Sequence, residues 1–173
     1  HLCDMVVALP VFYQGRLTAW AASIAHWSDI GGMTPGSFAS NAVEIFQEGL
    51  RIPAVRVFSS NEPIGPVLDL IAVNSRQPSI ALGDLYARIA ASRRGAERIV
   101  KLLQRYGISA WDVALSDAFA MGKKRSERGL AALPQGKWSI AEEQDDGAIW
   151  RADISISEGA FQVDLRDNPD QLN

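Results

Sequence analysis

Between Leu82 and Tyr106 the residues Leu82, Leu85, Ile89, Ser92, Ala96, Ile99, Leu103 and Tyr106 recur in alternating steps of three and four. That spacing makes one helical stripe and predicts a long helix from about Ser79 to Tyr106. Gly107 stops it, and Ser109 followed three residues later by Asp112 has the Ser-x-x-acid form that opens the next helix. The second helix carries Trp111, Leu115, Phe119, Leu130 and Leu133 before Pro134. So short a connection predicts an antiparallel helical hairpin, with Ser92, Ala96, Gly122 and Gly129 small enough for close approach.

The flanks read as β. Met5 to Tyr13 and Leu17 to Trp27 are apolar runs separated by Gln14-Gly15-Arg16, a hairpin signal. A two-residue Gln14-Gly15 loop pairs Tyr13 with Arg16, Cys3 with His26 and His1 with Ser28. Both faces of the ribbon are apolar and should be covered, and Pro10 places the first strand at an edge or beside a bulge. Residues 28 to 41, with Gly31, Gly32, Pro35 and Gly36, form a long ordered loop, the kind that often carries function. A short element at Ala42 to Leu50, a strand at Val55 to Phe58 and a short helix at Pro63 to Asn74 follow. At the other end, a Glu158-Gly159 turn sets Ile156 opposite Phe161, Ile154 opposite Val163 and Ala152 opposite Leu165. Asp153 then faces Asp164, with Arg151 and Arg166 placed diagonally to relieve the repulsion.

The expected class is therefore α+β: an N-terminal β-hairpin and long Gly-rich loop, a central antiparallel helical hairpin and a C-terminal β-hairpin. We expect one domain-sized unit over 1–173, with a β-rich region at 1–60, a helical region at 63–133 and a hairpin region at 137–166. A start at His1 that runs almost at once into a strand suggests a piece of a longer protein.

With 173 residues, 47% hydrophobic and 21% charged, the chain is globular rather than disordered. A net charge of −3 with one short basic run, Lys123-Lys124-Arg125, argues against nucleic-acid binding. The longest clean apolar run, Met5 to Tyr13, is about half of what a membrane helix needs, so no membrane association is expected. One cysteine, Cys3, fits a reducing, cytoplasmic setting and reads as a small buried thiol rather than a nucleophile.

The two histidines, His1 and His26, fall at the same end of the same ribbon, as diagonal same-face neighbours in the register above. Asp4 follows His1 by three residues and Asp29 follows His26 by three. In a perfect strand Asp4 points to the opposite face and joins the histidines only if the chain before Met5 is turned. Two imidazoles with one or two carboxylates suit a divalent first-row ion and leave room for a water or a substrate oxygen. The alternative is a structural His26 under the loop and a frayed His1. Glu44 and Glu48 share a face if they lie on one α-turn, so one could serve as a general base; their bland reading is capping or pairing with Arg51.

Several longer stretches go further: His1-Leu-Cys-Asp4, Ala25-His26-Trp-Ser-Asp29-Ile-Gly31-Gly32-Met-Thr-Pro35-Gly36-Ser37, and Glu44-Ile-Phe-Gln47-Glu48-Gly49-Leu-Arg51-Ile-Pro53. Together with Ala72-Val-Asn74-Ser75-Arg76, Gly83-Asp84-Leu85 and Arg105-Tyr106-Gly107, they resemble the hydantoinase B/oxoprolinase family. The family usually has Pro after His-Leu, where Cys3 stands here. The resemblance implies ATP-dependent opening of cyclic amides such as hydantoins or 5-oxoproline, or the related carboxylation of small ketones. It implies His1, Asp4 and His26 as ligands of a divalent metal ion (Zn, Mn or Fe), with Asp29 and the Gly31-Gly32 turn shaping the site; Asp29 and Glu44 are the candidate catalytic carboxylates. ATP and Mg would be bound by a hydantoinase A-type partner subunit or fused domain, which makes a hetero-oligomer. The absence of a Gly-x-x-x-x-Gly-Lys loop agrees with nucleotide binding elsewhere. A reading of another class is a non-catalytic assembly module that docks the ATP-binding subunit. Convergence of His1, Asp4 and His26 would favour catalysis.

Overall fold

The structure is a computed structural model that describes residues 3–36, 39–157 and 159–169. It divides into two compact units, His1–Gly107 and Ile108–Asn173. The boundary falls at Gly107, inside the stretch expected to be one helical region.

In the first unit, β1 (Asp4–Tyr13) and β2 (Arg16–His26) form an antiparallel ribbon closed at Gln14-Gly15, both with positive φ as this turn requires. The expected pair Tyr13 and Arg16 is present, but the register shifts at Val11/Phe12: Phe12 pairs with Leu17 and Val11 with Ala19. Thr18 is the extra residue of a β-bulge. Every pair beyond it moves by one, so His26 lies opposite Asp4 instead of Cys3. The Trp27 amide continues the pairing by donating to the Cys3 carbonyl at 2.8 Å.

After the glycine loop come a 3-10 helix (Ile45–Glu48), a minimal hairpin of β3 (Phe58–Ser59) and β4 (Glu62–Pro63), α1 (Gly65–Val73) and α2 (Pro78–Tyr106). The periodic stripe thus forms its helix almost to the residue. Its partner is the inner face of the ribbon. Arg88 donates to the Met5 carbonyl at 3.3 Å, and a Cβ on Gly95 would stand 3.5 Å from that of Ala21. The core gathers Cys3, Trp27, Ile30, Leu68, Ile71, Leu85 and Ile89, so strand end, loop and both helices close on one cluster. Arg88, buried here, lays its guanidinium over the Trp27 ring at 5.2 Å.

The second unit contains α3 (Ile108–Ala131) and a sheet in the order β5 (Gly136–Glu143), β6 (Ile149–Ser157), β7 (Ala160–Asp164). The Ile156–Phe161, Ile154–Val163 and Asp153–Asp164 pairs form as expected, and Arg166 is bound to Asp164. The expected C-terminal hairpin is corrected to three strands: β5 sets Trp138 opposite Ile154 and Ile140 opposite Ala152. On α3 the space a Cβ would fill is open at both Gly122 and Gly129. None of the residues of α3 is buried. No helix among the described residues is long and apolar enough to cross a membrane.

Candidate functional site

The bulge at Thr18 decides what the ribbon's end presents. Because Asp4 and His26 are directly opposite in the ladder, their side chains share a face. His26 Nδ1 lies 3.0 Å from Asp4 Oδ1, with the two side chains 41% and 51% exposed. An ionised carboxylate can only accept, so the neutral tautomer that suits this pair carries its proton on Nδ1 and its lone pair on Nε2. Asp4 therefore reaches the site without the turned approach that the unbulged register demanded. His1, the third expected ligand, lies outside the described residues, as does the expected His1–Ser28 pairing. Among the described residues no group of three His, Cys, Asp or Glu converges as a metal cluster. One imidazole and one carboxylate, adjacent and accessible, are a donor set that fits a divalent ion and needs further ligands to complete it.

Asp29, three residues on, has a different environment. It is 4% exposed. Its Oδ1 accepts from the Gly31 amide (3.1 Å) and the Arg76 amide (2.9 Å), while Oδ2 accepts from the Gly36 amide (3.3 Å) and Arg76 Nη1 (2.9 Å). Burial alone would raise the pKa of this carboxyl, but the Arg76 amide and guanidinium with the Gly36 and Gly31 amides outweigh it and hold it below its ordinary value. Arg76 also donates to the Gly32 carbonyl through Nη2 at 2.6 Å. Asp29 and Arg76 thus bolt the glycine loop to the junction of α1 and α2. Sequence reasoning noted Arg76 without giving it a role. The signal available was that an acid in an apolar neighbourhood needs a cation.

The glycines of this loop answer to packing. Gly31 has φ +80°, and a Cβ there would overlap the Asn74 carbonyl oxygen. A Cβ on Gly32 would come 2.8 Å from the Glu48 carbonyl oxygen, and one on Gly49 2.6 Å from that of Ile30. Three backbones meet where only glycine fits. Glu44 is the N-cap of the 3-10 helix, in a reciprocal capping box with Gln47, whose Oε1 accepts from the Val43 and Glu44 amides. In a 3-10 turn residues three apart eclipse, so Glu44 and Glu48 do not share the face that an α-turn would give them. Cys3 is buried. Its thiol is pushed above the ordinary value by burial first and then by the charges of Asp29, Asp4 and Glu48, which disfavours the nucleophilic thiolate.

With this geometry in view, the relatives are informative. The hydantoinase B/oxoprolinase family model matches residues 1–173. The chain is 31% identical over 166 residues to the beta subunit of the caprolactamase of Pseudomonas jessenii, covering 96% of this chain and 28% of that one. The solved ATP-dependent caprolactamase of the same organism superposes with a TM-score of 0.88 at 30% identity, over 99% of this chain and 31% of that chain. The B-type polypeptide of a putative D-/L-hydantoinase from a Pseudomonas species is 33% identical over 150 residues (86% and 25% covered). The acetophenone carboxylase delta subunit of Aromatoleum aromaticum is 34% identical over 148 residues (84% and 21% covered). The chain thus spans a third or less of the length of each of these relatives. The match over its whole length and the identities above 30% make it a member of the hydantoinase B/oxoprolinase family.

Proposed function

We propose that this chain forms the ring-opening part of an ATP-dependent cyclic amidohydrolase, with a lactam, hydantoin or 5-oxoproline-like substrate. The observation that carries the reading is the Asp4–His26 pair, 3.0 Å apart on the exposed end of the ribbon. We place a divalent ion on His26 and Asp4, with His1 as a third ligand. Such an ion would supply Lewis acidity beside the amide carbonyl. The chain's own residues have separable tasks. Without the ion Asp4 orients the His26 ring through the Nδ1 hydrogen bond, which gives way when both side chains ligate. Asp29 and Arg76 hold residues 29–36 in place beside that end of the ribbon, and the Gly31, Gly32 and Gly49 contacts make the loop rigid. Glu44 belongs to the same proposal as a general base. Glu44→Gln keeps a side-chain acceptor for the cap and removes the base, so it should lower turnover and leave thermal stability unchanged.

ATP is assigned to a hydantoinase A-type partner, and the working assembly to a hetero-oligomer. The relatives named as subunits of a caprolactamase, a hydantoinase and an acetophenone carboxylase support that reading. A second reading, carboxylation of a small ketone by the same site, rests on the 34% identity to the acetophenone carboxylase polypeptide. One experiment separates them. The full-length protein with its partner is assayed for ATP-dependent consumption of caprolactam, hydantoin and 5-oxoproline, and of ketones with bicarbonate, beside His26→Ala. Ring opening that is lost in His26→Ala supports the proposal. Turnover of ketones alone selects the carboxylase, and undiminished turnover in His26→Ala removes the site.

A further inference from the structure

The ribbon has two apolar faces, and α2 covers only one. Along the other, starting from Asp4 and His26, the register stacks Val6 on Ile24, Ala8 on Ala22 and Pro10 on Trp20, and ends on Phe12 and Leu17. Val6 is 60%, Ile24 66%, Trp20 59% and Phe12 58% exposed. A strand of ten residues makes this strip about 30 Å long, far beyond the reach of a small-molecule substrate. It carries no charge between the Asp4–His26 end and the turn. A contiguous apolar strip of this kind is an interface, and a two-stranded ribbon is marginal without a layer on each apolar face.

We infer that the outer face is covered by an apolar layer from the rest of a full-length family chain, folded back over Val6, Ile24, Trp20 and Phe12. One observation favours the chain itself over a separate partner, and a second calls for permanent cover. This chain corresponds to only 31% of the solved caprolactamase chain, so most of a chain of that length lies outside it and needs apolar surface to pack on. The strip also lacks the polar residues that mark transient interfaces, so whatever covers it stays in place. The inference is independent of the metal assignment.

The test uses the full-length polypeptide purified without its partner. Maleimide labelling of Val6→Cys and Ile24→Cys is followed by peptide mass, and hydroxyl-radical oxidation of Trp20 is followed in the unaltered protein. The expected result is labelling at least about tenfold slower than in the same variant unfolded in urea, with Trp20 protected to match. Labelling near the unfolded rate with Trp20 oxidised overturns the inference. Protection that appears only when the partner is added assigns the face to that partner, and protection lost on dilution assigns it to a second copy; either also overturns it. Should a cysteine variant fail to fold, the Trp20 footprint of the unaltered protein decides alone.

Discussion

Every fully buried residue among those described, from Cys3 to Leu103, belongs to the first unit. The second unit has equally clear patterning: its sheet alternates Trp138, Ile140, Ile154, Ile156, Phe161 and Val163 on one face with charged and hydroxyl side chains on the other. Yet Ile140, Phe161 and Val163 remain more than 40% exposed, and Phe119 on α3 is 79% exposed. Amphipathic pattern fixes an element and the face that seeks cover. A core appears only where a second layer is present, as α2 is for the inner face of the ribbon. The same contrast separates two acid–arginine pairs. Asp29 is buried, pairs with a half-exposed Arg76 and locks a loop, whereas Asp164 with Arg166 is a surface pair between near neighbours in sequence.

The largest effect should come from the buried side of this comparison. Leu103→Ala removes a fully buried side chain and should lower stability by about 2–5 kcal/mol, against less than about 0.5 kcal/mol for Phe119→Ala, both read as denaturant midpoints. Equal losses would show that α3 has a core of its own in this chain. Next, Asp29→Ala leaves the Gly31, Gly36 and Arg76 amides without their acceptor and should cost about 1–3 kcal/mol, with faster proteolysis between residues 29 and 36.

The pH dependence sharpens the contrast. Since its pKa is below the ordinary 3.8, Asp29 stabilises the fold fully above that value, and its contribution is lost as pH falls through the lowered pKa. Protease sensitivity of the loop should therefore rise only below about pH 4, and Asp29→Asn should make it independent of pH in that range. The smallest effect is expected at Arg166→Ala. Its partner Asp164 is held down to about 2 by the Arg166 side-chain and backbone hydrogen bonds, but the pair is open to solvent, so the melting midpoint at neutral pH should not move measurably.

What the sequence disclosed follows the same division. The long helix, its stop at Gly107 and the β6–β7 register were legible because apolar spacing and turn residues act locally. The position of the bulge was not, because Pro10 signalled only an edge or a nearby bulge and no residue type marks Thr18 as the one that leaves the ladder. That single residue changed the partner of His26 from Cys3 to Asp4. The ribbon's role as partner of α2 was hidden for a related reason: Ser92 was read as a point of approach to the next helix, whereas its hydroxyl donates to the Val7 carbonyl at 3.5 Å. The roles of Gly31, Gly32 and Asp29 depend on Asn74, Arg76 and Glu48, far along the chain. The family resemblance supplied the candidate ligands, and the structure supplied the register that sets two of them side by side.

We assign function to the end of the ribbon and structure to the loop beside it. The direct measurement is metal content and melting midpoint together, on the full-length protein with its partner, for Asp4→Ala, His26→Ala and Asp29→Asn. On this assignment the first two lose the divalent ion with midpoints lowered only by the loss of that ligand, so that unaltered and variant proteins melt alike after chelation. Asp29→Asn should keep the ion and melt lower even in chelator. Stoichiometric metal in His26→Ala, or loss of metal from Asp29→Asn without loss of stability, would contradict it.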